Sequence, residues 1–119
     1  MKELLQSFKH ALRGVRVVFR TEQSFRIQIV VAFIVILAGW FLHLTEFEFI
    51  VVLSACAAVL VLELINSIFE RIVDAFKPRV SPIVRDIKDI MAGTVLVAVT
   101  AAVLVGLVIF VPHLATLRI

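Results

Sequence analysis

The stretch FIVVLSACAAVLVLELINSIFERIVD, residues 49 to 74, opens with fourteen uncharged residues and then carries Glu63, Asn66, Glu70 and Asp74 among its apolar positions. Apolar residues continue between the acids, so a single helix runs through both halves. At about 100° per residue, Asn66 lies about 60° from Glu63, and Glu70 and Asp74 each lie about 20° from it on alternate sides. The four polar groups therefore share one narrow stripe that climbs roughly 16 Å along the axis. An acid at the centre of a membrane span costs on the order of 2.5 to 3.5 kcal/mol, and less when displaced toward one end as Glu63 is. A network that only joined helices would return about 0.6 kcal/mol per hydrogen bond in a membrane. That is small against several buried acids, so the stripe reads as a functional site.

The rest of the chain agrees with a membrane setting. Its 119 residues are 62% hydrophobic and only 18% charged, with a mean hydropathy of +1.13. That is too little polar surface for a soluble domain of this size. The single Cys56 excludes an internal disulfide and reads as a small core filler. A net charge of +3 beside apolar spans sets topology and does not indicate nucleic acid.

Residues 1 to about 20 place Leu4, Leu5, Phe8, Ala11, Leu12 and Val15 at helical spacing against Lys2, Lys9, Arg13, Arg16 and Arg20. This predicts an amphipathic surface helix, its basic face on anionic lipid, which lacks the features of a cleaved signal peptide. IQIVVAFIVILAGWFLHL, residues 27 to 44, predicts the first span, with Trp40 as an interface anchor. The second span is expected from about Phe47 to Val73. AFKPRVSPIVRDIKD, with Pro78 and Pro82, reads as a loop or short surface helix. A third span is expected from about Ile90 to Val111, closed by Pro112, with Ala98, Ala102 and Gly106 as a close-packing face. No repeat or low-complexity linker divides the chain, so residues 1 to 119 are expected to form one all-α membrane domain.

Six Lys or Arg residues precede the first span, none lies between the first two, and Arg71, Lys77, Arg79, Arg85 and Lys88 fall at or within the second connection. The positive-inside rule puts the N-terminus and that connection in the cytoplasm, with ATP. Glu22 and Glu70 near this rim could hold Mg²⁺, which is satisfied by one or two carboxylates plus water and phosphate oxygens. Lys88 could neutralise phosphate charge, and Glu63, the deepest acid, could accept the proton of a lipid hydroxyl. Phosphoryl transfer needs little beyond positioning, metal and charge stabilisation. Neither GxxxxGK[ST] nor GxGxxG occurs.

TEQSFRIQ, ELINSIFERIVD and IKDIMAGTVL, in this order, resemble the three signatures of the small prokaryotic diacylglycerol kinase family, which includes the undecaprenol kinases of Gram-positive bacteria. The resemblance covers roughly residues 5 to 110. It implies a homotrimer of three-span subunits in the bacterial cytoplasmic membrane, with interfacial active sites where ATP phosphorylates a lipid alcohol. It also implies Glu63 as general base with Asn66 beside it, and Glu22 and Glu70 as metal ligands. Asp74, Lys88 and Asp89 fall around the nucleotide phosphates, Asp89 orienting Lys88, and Arg26 is the arginine of the first signature. Gln28 stands where enterobacterial diacylglycerol kinases carry Glu, and MAGTVL is more similar to the AGAVL of the undecaprenol kinase branch. Both substrates stay open.

Readings from other classes are a non-catalytic oligomer that uses the stripe for assembly, and a proton or cation conduit. A conduit needs a path to both faces, and residues 49 to 62 hold no ionisable group beyond Cys56. His10, His43 and His113 have no metal-ligand spacing, and Asp86 reads as a solvated charge.

Overall fold

A computed structural model describes residues 1–76 and 81–117. The chain folds as α1 (Lys2–Thr21), α2 (Gln23–Phe41), α3 (Glu46–Ala75) and α4 (Pro82–Thr116), and no strand occurs among the described residues. Three helices, α2, α3 and α4, are long and apolar enough to cross a membrane. In α1 only Val18 is buried, and Leu4, Leu5, Phe8, Leu12 and Val15 are all exposed. α3 packs most extensively against α4 and next against α2.

The junction between α1 and α2 is one residue long. Glu22 alone leaves helical geometry, at φ −115° and ψ 110°. Arg26 holds the bend: its Nη1 donates to the carbonyls of Phe19 at 2.8 Å and Arg20 at 3.1 Å. A cation on the last carbonyls of α1 satisfies groups that have no helical partner and opposes the helix dipole.

The turn between α2 and α3 is also tight. α2 stops at Phe41, three residues short of the expected Leu44, because the chain reverses through His43 at φ 58°. Gly39 permits this approach, since a Cβ there would sit 2.8 Å from Leu44 Cδ1. Thr45 then caps α3, its Oγ1 accepting from Glu48 N at 3.1 Å while Glu48 Oε1 accepts from Thr45 N at 3.0 Å. Glu48 Oε1 also meets His113 Nε2 at 3.0 Å, tying the start of α3 to the end of α4.

α4 departs from expectation at both ends. It begins at Pro82 and carries Lys88 and Asp89 in one continuous helix, with no separate surface helix between Ser81 and Ile90. Ser81 caps it by accepting from Val84 N at 3.2 Å, and Pro82 sits where a missing N–H costs nothing. The helix also continues past Pro112 to Thr116. Proline already has helical φ and so close to the terminus forfeits one hydrogen bond without ending the helix. Lys77, Pro78, Arg79 and Arg118 lie outside the described residues.

Removing the cap at the start of α3 tests this account of the turn. Thr45→Ala should lower unfolding stability in detergent by about 1 kcal/mol, read from denaturant unfolding. An unchanged midpoint would show that the capping box contributes nothing.

Candidate functional site

Glu63, on α3, is 5% exposed. Both its oxygens are held from α2: Ser24 Oγ donates to Oε1 through a short contact, and Gln28 Nε2 donates to Oε2 at 3.4 Å. Ser24 and Gln28 are four residues apart and so share one face of α2. Both donors are neutral, and among the described residues no cationic side chain pairs with this carboxylate.

One turn further along α3, Ser67 is 2% exposed. Its Oγ donates to Glu22 Oε1 at 3.3 Å and accepts a short contact from Arg71 Nη1. Arg71 reaches Glu22 Oε1 at 3.7 Å and donates from Nη2 to Thr21 Oγ1 at 2.8 Å. The one-residue α1–α2 bend thus delivers Glu22 to the stripe. Asn66 Nδ2 donates to Glu70 Oε1 at 3.1 Å, orienting that carboxylate along the helix. At the rim, Asp74 Oδ1 lies 3.5 Å from Lys88 Nζ of α4, their side chains 52% and 41% exposed.

Glu63, Asn66, Glu70 and Asp74 therefore form the expected continuous stripe, joined by Glu22 from the α1–α2 bend and Lys88 from α4. Asp89 is exposed beside Lys88, whose partner in the structure is Asp74. Four participants escaped the sequence reading: Thr21, Ser24, Ser67 and Arg71. Ser67 was detectable, since it falls about 40° from Glu63 on the same stripe. Ser24 could have been found from its four-residue spacing to Gln28.

For a metal ion, the donor set offers carboxylate oxygens only, from Glu22 and Glu70. No cluster of three or more His, Cys, Asp or Glu side chains occurs among the described residues. Two hard oxygen donors, both partly buried, would suit Mg²⁺ arriving with phosphate and water ligands, and would not suit a dedicated protein cage. Beside the stripe, α2, α3 and α4 line an open-sided cavity of about 480 Å³ with apolar walls such as Val31, Val59 and Leu107, and Gln28 among them.

The sequence has known counterparts. Residues 9–110 match the family described as prokaryotic diacylglycerol kinase, a range that includes every residue of the stripe and its partners. An undecaprenol kinase of Bacillus subtilis is 31% identical over 114 residues, 96% of this chain and 93% of that protein. A diacylglycerol kinase of Synechocystis sp. is 36% identical over 117 residues, 98% of this chain and 67% of that protein. A diacylglycerol kinase of Haemophilus influenzae is 36% identical over 74 residues, 62% of this chain and 63% of that one. With a match across most of its length, the chain belongs to the prokaryotic diacylglycerol kinase family and is a lipid kinase.

Proposed function

We propose that the chain transfers the γ-phosphate of ATP to the hydroxyl of a membrane lipid alcohol, diacylglycerol or undecaprenol, at the cytoplasmic face of the bacterial inner membrane. The observation that carries this reading is the gradient along α3. A buried carboxylate with neutral partners stands at one end, and half-exposed charged groups stand at the other. A water-soluble phosphate donor and a lipid hydroxyl meet only at such a boundary.

In this scheme Lys88, beside Asp74, binds phosphate oxygens, and Asn66 keeps Glu70 oriented. Glu63 takes the lipid hydroxyl proton as the alcohol oxygen attacks the γ-phosphorus. The new O–P bond forms as the bond to the ADP leaving group breaks, and the proton later returns to water. Glu22 and Glu70 would hold Mg²⁺, which supplies charge neutralisation on the phosphates. Lys2, Lys9, Arg13, Arg16, Arg20 and Arg26 support a cytoplasmic N-terminus, with α1 lying on the membrane surface. The kinship supports a single domain and a homotrimer with sites between subunits. A conduit gains no support, because the walls of the cavity beyond Gln28 carry no ionisable side chain except Cys56.

The direct test is transfer of labelled γ-phosphate from ATP to diacylglycerol, undecaprenol and ceramide in mixed micelles. At least one should be phosphorylated; no transfer to any, with folded protein and Mg²⁺ present, would sink the reading. Glu63→Gln should lower kcat by about 10²- to 10⁴-fold while the protein elutes as the same assembled species. Dissociation without any phosphorylated lipid in the parent would favour an assembly role instead. Glu70→Gln should raise the Mg²⁺ concentration for half-maximal rate by about tenfold or more, and an unchanged Mg²⁺ curve would remove Glu70 from the metal site.

A further inference from the structure

Gln28 is the one residue shared by the Glu63 site and the apolar cavity, and the transfer scheme above gives it no task. Its Nε2 faces Glu63 Oε2 at 3.4 Å, while its Oε1 is buried without a hydrogen-bond partner. The amide is set with its N–H toward the accepting oxygen of Glu63 and its own oxygen facing away. A buried carbonyl oxygen with no donor is uncommon in native proteins and calls for a reason. The other cavity walls, Val31, Val52, Cys56, Val59 and Gly106 among them, offer no donor stronger than the Cys56 thiol. The cavity extends about 12 Å along α3, from Val52 to Leu60, away from the charged rim.

We propose that Gln28 couples the acceptor lipid to Glu63. The hydrocarbon tail of the lipid alcohol lies in the α2–α3–α4 cavity, and its hydroxyl donates to Gln28 Oε1. The terminal torsion of a glutamine is soft, and a 3.4 Å contact is weak. The amide therefore turns toward the arriving hydroxyl and gives up Glu63 Oε2. As the O–P bond forms and the bond to ADP breaks, the hydroxyl hydrogen swings from Gln28 Oε1 to the freed Glu63 oxygen, which takes the proton. Gln28 is a positioning residue that ties the base to the presence of an acceptor, and the tail is chosen over bulk lipid because the cavity ends at Gln28, the residue that donates to Glu63. This rests on the kinase reading.

The test uses the full-length protein with dioleoylglycerol and undecaprenol, each in mixed micelles. Gln28→Met keeps the side-chain length but removes both the unpaired oxygen and the weak Nε2 donor to Glu63, so thermal unfolding and elution are compared with the parent before the kinetics are read. The variant's acceptor KM should rise about tenfold or more while the ATP KM stays within about twofold. Gly106→Leu grows into open space in the cavity and should raise the acceptor KM in the same way, with the oligomeric state unchanged by light scattering. A folded Gln28→Met enzyme with unchanged acceptor KM overturns the inference alone, leaving the kinase reading intact. Unchanged acceptor KM in Gly106→Leu returns the cavity to ordinary bilayer lipid, and an altered oligomeric state assigns it to a second copy; either overturns the inference. A parent that phosphorylates neither lipid overturns the kinase reading and this inference with it.

Discussion

The burial of one carboxylate constrains everything around it. Glu63 is placed about 26 Å from the start of α3, toward the end of a bilayer core some 30 Å thick. At that depth an acid without partners would be expelled or would drag water inward. α2 resolves this with two neutral donors, Ser24 and Gln28, on one face. A lysine or arginine would have tied the carboxylate into an ion pair whose desolvation is costly. Hydroxyl and amide hold it in place without a countercharge, which suits the proton acceptor proposed above.

Helix length converts this buried acid into an accessible site. α2, with 19 residues, reaches about 28 Å and barely spans the hydrocarbon. α3 and α4, with 30 and 35 residues, reach about 45 and 52 Å. The short capped turn between α2 and α3 pins one end of the bundle, so the surplus of α3 projects from the other. The acids beyond Glu63 occupy that surplus. The α1–α2 bend falls at the same level, which brings Glu22 to Ser67, and the early start of α4 brings Lys88 to Asp74.

Periodicity in a single helix was legible; partnership between helices was not. The stripe of Glu63, Asn66, Glu70 and Asp74 follows from 3.6-residue geometry, and the three apolar helices follow from hydropathy. Ser67 and Arg71 were passed over because a serine and an arginine between acids look like ordinary filling and rim charge. Only the bend at Glu22 reveals them as the link between α1 and α3. The ends of α4 were misjudged because proline was read as a breaker. Pro82 starts the helix under the Ser81 cap, and Pro112 lies too near the terminus to stop it.

The partners along α3 change character with depth, from neutral donors at Glu63, through the mixed cluster of Glu22, Ser67 and Arg71, to the open Asp74–Lys88 pair. Exposed ion pairs are worth roughly 0 to 1 kcal/mol, because water screens them and two long side chains must be ordered. In the proposed scheme a polyphosphate arriving at the rim can therefore take Lys88 from Asp74 at little cost. The Ser24 contact on Glu63 cannot be exchanged so freely, since a carboxylate left alone in hydrocarbon has no water to turn to. The same gradient thus keeps the proposed base in position while leaving the proposed phosphate-binding end free to change partners in every cycle.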